Sequence, residues 1–97
     1  MEEKIKVILC EVGKDPEVKI VPNEPDWMEE FVGGYLEATS ITRDGLILIC
    51  NDERMRLGLP VNHNFGLGVL GNFVICQAEG VELASVTQDD LKMLNLL

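Results

Sequence analysis

Basic residues are scarce in this chain. Eight lysines and arginines stand against seventeen aspartates and glutamates in 97 residues, a formal charge of −9. Nonspecific grip on a phosphate backbone needs clustered Lys and Arg, so direct nucleic-acid binding is not expected. Aromatic residues are also few, at 5%, which leaves the core to Ile, Leu and Val. There is one histidine, and the three cysteines, Cys10, Cys50 and Cys76, include no pair at CxxC spacing. Each cysteine sits in an apolar run, the pattern of buried free thiols in a reducing, cytoplasmic setting. One distant histidine is poor material for a metal site, and neither metal nor cofactor is expected. No apolar run approaches the length of a membrane span, so no membrane partner is expected. Met1-Glu2-Glu3-Lys4 is acidic and no apolar segment of a secretory leader follows it.

What is present is a globular composition, 46% apolar and 26% charged. A chain of this length reads as a single domain over 1–97, able to bury roughly two-thirds of its unfolded surface in one core. The acids are scattered, with no block of like charge, so the excess reads first as self-repulsion that favours solubility.

Lys4 to Val12 begins with alternation and becomes continuously apolar, which predicts a strand. Gly13-Lys14-Asp15-Pro16 is a turn by composition. Glu17 to Val21 alternates again and completes a hairpin, with Val18 and Ile20 expected to face inward. Asn23 or Glu24 opens a helix with Pro25 in its first turn, an apolar stripe of Trp27 and Phe31 joined by Met28 and Val32, and Gly33-Gly34 closing it. Tyr35 to Thr42 is β-rich and Arg43-Asp44-Gly45 is a hairpin signal. The run Leu46–Cys50 asks to be a buried strand, the axis of the core. Asn51 to Arg56 is polar, and Leu57 to Asn64 is a turn-rich loop holding His63. Asn72 to Gln77 predicts another strand, with Val81–Ala84 extending the pairing. Thr87 with Asp90 approximates a capping box for a C-terminal helix that offers Leu91, Met93 or Leu94, and Leu97 to the core. The expected fold is α+β: a mostly antiparallel sheet of about five to six strands, one central helix and a C-terminal helix.

Several blocks together resemble a known family. They are Val32-Gly33-Gly34-Tyr35-Leu36-Glu37, Ile49-Cys50-Asn51-Asp52-Glu53, Leu57-Gly58-Leu59-Pro60-Val61-Asn62, Gly71-Asn72-Phe73-Val74-Ile75 and Ser85-Val86-Thr87. In order and spacing, from Ile5 to Leu94, the chain is similar to the family catalogued as domain of unknown function 3846. The resemblance implies a small protein of bacteria, phages or mobile elements and assigns no reaction. That family often carries a basic residue after the asparagine of the Leu-Pro-x-Asn block, where this chain has His63.

The residues that could carry recognition cluster after the buried strand. Arg54 and Arg56 could clamp an anion, with Asn51, Asn62, His63 and Asn64 adding polar contacts. Gly66-Leu67-Gly68-Val69-Leu70-Gly71 matches G-x-G-x-x-G, yet a β-type run follows it where a dinucleotide fingerprint needs a helix. Gly66 and Gly68 could still present backbone N–H groups to a phosphate. The adjacent acids Glu29-Glu30, Asp52-Glu53 and Asp89-Asp90 point in different directions on a helix and make no natural dyad. No catalytic residue is assigned. The expectation is a non-enzymatic, homo-oligomeric binding protein for a small anionic or nucleotide-like ligand. A concrete form is a phage or mobile-element counter-defence protein that sequesters a signalling nucleotide. The alternative is an acidic interaction module that inhibits a basic partner protein. A hydrolase or transferase using His63 with Cys50 ranks below both.

Overall fold

The computed structural model describes residues 3–97; the acidic start at Met1 and Glu2 lies outside them. The elements run β1 (Lys4–Cys10), β2 (Glu17–Pro22), α1 (Pro25–Val32), β3 (Leu36–Ser40), β4 (Leu46–Asn51), β5 (Val61–Asn62), β6 (Val69–Leu70), β7 (Phe73–Glu79), β8 (Glu82–Ala84) and α2 (Gln88–Met93). The main sheet has the order β2-β1-β7-β4-β3, with β8 also on β7, and every pairing is antiparallel. β7 gives one edge to β4 and shares the other between β1 at its start and β8 at its end. β5 and β6 form a separate two-stranded ribbon. No helix among these residues is long and apolar enough to cross a membrane.

Both faces of the sheet are covered, which is why its inner strands read as continuous apolar runs where one-sided burial would alternate. On one face Ile5, Val7, Ile47, Ile49, Val74 and Cys76 pack with Met28 of α1. On the other, Ile8, Cys10, Leu46, Leu48, Cys50, Phe73 and Ile75 pack with Val86 and Leu91, and Phe65 and Val69 close over them. All six residues of β4 are buried. β7, in the middle of the strand order, shares with β4 the axial role that the sequence suggested for β4 alone.

Three packing expectations are corrected. Val18 and Ile20 do not face the core: Val18 is 37% and Ile20 66% exposed. They lie on edge strand β2 opposite Ile8 and Lys6, past the cover on that face, and Val21 is the residue of β2 that is buried. In α1 the buried positions are Met28 and Val32. Trp27 and Phe31 are half-buried beside them and stack on each other with ring centroids 5.8 Å apart. At the C-terminal helix Leu91 is buried and, of the alternatives Met93 or Leu94, Leu94 packs against the core while Met93 is exposed (53%). Leu97 is also exposed (67%) and Leu96 packs in its place, because the chain reverses at Asn95, in a left-handed conformation (φ 60°).

The helix ends follow the sequence signals. Gly33 adopts φ 84° and its N–H bonds to the Glu29 carbonyl, a left-handed cap that glycine adopts freely. The Thr87 hydroxyl accepts from the Asp90 N–H while the Asp90 carboxylate accepts from the Thr87 N–H, a reciprocal capping box.

All three cysteines are free and buried. Burial pushes the thiols of Cys10 and Cys76 up from 9.0 to about 12. The folded state therefore keeps its protons to higher pH than the unfolded chain. The stability this supplies is complete below pH 9 and is lost as pH rises towards about 12. Urea denaturation across pH should show an alkaline decline of up to about 1.4 kcal/mol per pH unit for each thiol. A Cys10→Ala/Cys76→Ala variant should show a shallower decline; an unchanged slope would refute the assignment.

Candidate ligand-binding site

The β3–β4 hairpin sets Glu37 opposite Cys50 and Thr39 opposite Leu48. By strand parity these four side chains share the face on which the β5–β6 ribbon lies. A cavity of about 390 Å³ opens there. Ile41, Leu48 and Cys50 supply its apolar floor, Leu67, Gly68 and Val69 one wall, and Thr39, Ser40 and Arg54 a polar rim. Its size falls in the range of small-molecule sites, and an apolar body with few polar groups is their usual composition.

Arg54 is delivered by the turn that follows β4. The Asn51 side chain accepts the Glu53 N–H at 2.8 Å, and the Asn51 carbonyl accepts from both the Arg54 N–H and its guanidinium, each at 3.2 Å. The guanidinium also pairs with Glu37 at 3.1 Å, with both side chains part-exposed. The rim thus carries a cation and a carboxylate in contact, able to answer an anionic group and a hydrogen-bond donor on one ligand. As a contribution to stability this pair is worth at most about 1 kcal/mol.

The Cys50 thiol lies in the floor. Burial raises its pKa, the Arg54 charge opposes this, and Glu37 and Asp52 reinforce it. The net rise keeps the sulfur protonated near neutrality, and a protonated thiol is a poor nucleophile. His63 is exposed and does not line this cavity.

The remaining residues named from the sequence have other neighbours. Asn51 is 1% exposed; besides holding Glu53 it donates to the Val32 carbonyl at the end of α1. Asn62 is fully buried, donating to the carbonyls of Cys10 and Gly71 at 2.9 Å each and accepting from Asn64. The Asn64 amide donates to the Glu11 and Lys14 carbonyls. These three carboxamides are braces: they tie the loop to the β1–β2 turn, to β6 and to α1. Arg56 binds Glu53 at 2.7 Å on the exposed side of the turn, away from the cavity lining. Gly66 is exposed and ends a 3-10 turn, Asn64–Gly66, that holds Phe65 at φ 58°. Gly68, at φ 70°, lines the cavity. The glycine run therefore threads a turn and the β6 ribbon and then enters β7; no helix follows it.

Of the eight residues singled out in the sequence, Arg54 and Gly68 come together at the cavity. Thr39, Ser40, Ile41, Leu48, Leu67 and Val69 were not anticipated. The β3–β4 register, had it been known, would have placed Thr39 with Leu48. Nothing in the sequence brings Leu67 to Val69 over that hairpin. Among the described residues no group of three or more His, Cys, Asp or Glu is placed to hold a metal ion.

A family model described as domain of unknown function (DUF3846) matches residues 5–96. The chain belongs to the DUF3846 family. No curated protein and no solved structure was found to match it. For this DUF3846 chain the cavity geometry carries the functional argument.

Because Cys50 forms part of the cavity wall while Cys10 and Cys76 lie within the core, a small neutral disulfide should modify Cys50 ahead of the other two. Peptide mass mapping over time reads the order; equal rates at all three thiols would contradict an open cavity.

Proposed function

We propose that this protein is a non-enzymatic binding protein whose cavity between the β3–β4 hairpin and the Leu67–Val69 segment holds one small nucleotide-like anion. The observation that carries the reading is the composition of that cavity. It has an aliphatic floor for a planar body, the Thr39 hydroxyl on the same face, and one guanidinium at the rim. A single cation beside a carboxylate suits a ligand with few negative charges. A highly charged polyphosphate would meet the field of a −9 chain. The buried Cys50 thiol stays protonated and serves as part of the apolar floor, with no nucleophilic role. In its cellular form the proposal is sequestration: a phage or mobile-element protein that removes a host signalling nucleotide.

Thermal shift against a panel of cyclic and linear nucleotides tests it. A ligand at a hundred times its dissociation constant stabilises the native state by about 2.7 kcal/mol, a rise of roughly ten to twenty degrees for a domain of this size. The rise should vanish in Arg54→Ala, which on its own should change stability by no more than about 1 kcal/mol. No rise across the panel would sink the reading.

A second reading, an acidic module that inhibits a basic protein, is favoured by the charge and by one local feature. Asp44, Glu79, Asp89 and Asp90 border a second cavity of about 370 Å³ at the far end of the sheet. It expects protein binding that weakens with salt, and no nucleotide shift.

A further inference from the structure

The two outer strands of the sheet are protected differently. β2 carries Glu17 and Lys19, ends in Pro22 and follows Pro16, features that discourage further pairing. β3, a strand of 5 residues, has neither proline nor lysine, and its one charge, Glu37, is paired with Arg54. Among the described residues no strand pairs with its outer edge.

The ladder shows which backbone groups that edge offers. The Asp52 N–H donates to the Tyr35 carbonyl and the Ile41 N–H donates to the Leu46 carbonyl, each at 2.8 Å. In an antiparallel ladder this parity turns the backbone groups of Tyr35, Glu37, Thr39 and Ile41 towards β4. It leaves those of Leu36, Ala38 and Ser40 pointing away from the sheet.

We propose that β3 pairs antiparallel with β3 of a second copy about a two-fold axis at Ala38, and that the partner's Tyr35 then closes the ligand cavity beside Ile41. The closing of the cavity rests on the ligand-pocket reading above; the strand pairing stands without it.

Self-pairing satisfies conditions that an arbitrary extended peptide does not. With the axis at Ala38, Leu36 bonds with the partner's Ser40 and Ala38 with the partner's Ala38, so every outward group on both copies is used. Identical residues meet only on the axis, and the residue there is small. Glu37 faces the partner's Thr39, a hydroxyl where a shifted register could set carboxylate near carboxylate. This matters in a chain of charge −9. Tyr35 comes opposite the partner's Ile41 at a non-hydrogen-bonded position, where facing side chains approach most closely. Tyr35 is 70% exposed in the single chain, and strand parity puts it on the same face as Thr39, the face of the cavity that Ile41 lines. On the opposite face of the same edge, Ala38, Ser40 and the fully exposed Val81 border another groove, of about 270 Å³. A second copy on β3 therefore covers apolar surface on both faces of the hairpin.

Sedimentation equilibrium without ligand should give a mass twice 10.8 kDa that dissociates on dilution. Ala38→Pro removes an outward N–H from each copy and should raise the dissociation constant at least about tenfold, with circular dichroism reporting the fold. In the unaltered chain, the amides of Ala38 and Ser40 should be protected from exchange in the dimer and lose protection on dilution. A half-labelled dimer should show a magnetic contact between the Tyr35 ring and Ile41 methyls, which within one copy are about 20 Å apart along the strand. A chain monomeric at every concentration overturns the pairing, as does a dimer whose Ala38 and Ser40 amides stay unprotected. Protection that appears only on adding an extended peptide overturns the second copy as occupant. A dimer lacking the Tyr35–Ile41 contact overturns the register and the closing of the cavity. Nucleotide binding by a monomer would leave the pocket reading standing while removing the dimer.

Discussion

Two-sided burial of a single antiparallel sheet is the constraint on which the rest of this structure depends. An antiparallel sheet often leaves one face to water, and its strands then alternate. Here β1, β4 and β7 must fill both faces, so Ile-Leu-Val runs replace alternation and charge is driven to the edges, the turns and the helix surfaces. One short helix covers one face. The other needs α2 together with an irregular segment, because α2 alone does not reach across it. That segment, from Leu57 to Gly71, is where the β5–β6 ribbon and the cavity arise.

An irregular cover carries backbone groups that a helix would satisfy internally, and buried ones are costly when unpaired. The chain meets this with asparagine. Asn62 and Asn51 are buried and each serves several backbone partners, while Asn64 and Asn72 extend the same pattern to the β1–β2 turn and to α1. No buried side-chain polar atom among the described residues is left without a partner. In sequence Asn51, Asn62 and Asn64 resemble ligand contacts; in the fold their side chains instead satisfy backbone groups of the segments they join. Sites on loops held by a firm scaffold are a common arrangement, and here the scaffold extends into the loop itself.

The same economy bears on the edges. β2 carries charge and proline, whereas β3 remains open next to the cavity. A small domain has room for only a shallow pocket, and an open edge beside that pocket gives a route to deepen it without enlarging the chain. The near-neutral character of β3 within a strongly acidic protein fits association there better than at any charged surface.

The chain alone determined most of the elements. Apolar runs marked β1, β4 and β7, Gly33 and the Thr87–Asp90 box marked helix ends, and the hairpins at Gly13–Pro16 and Arg43–Gly45 followed from turn chemistry. These signals are local, set by the preferences of a few adjacent residues, so they survive without tertiary information. Strand order, exposure at the edges and the site were decided only by the tertiary structure. Val18 and Ile20 carry an inward pattern yet meet water, because whether a face is covered depends on distant elements. Arg54 was legible as a candidate, being a cation in a polar turn, and it does line the cavity. Its partners Thr39, Leu48 and Val69 were not, because strand register and loop placement bring together residues far apart in sequence. A carboxamide likewise reads identically whether it faces a ligand or a buried carbonyl; only packing tells the two apart.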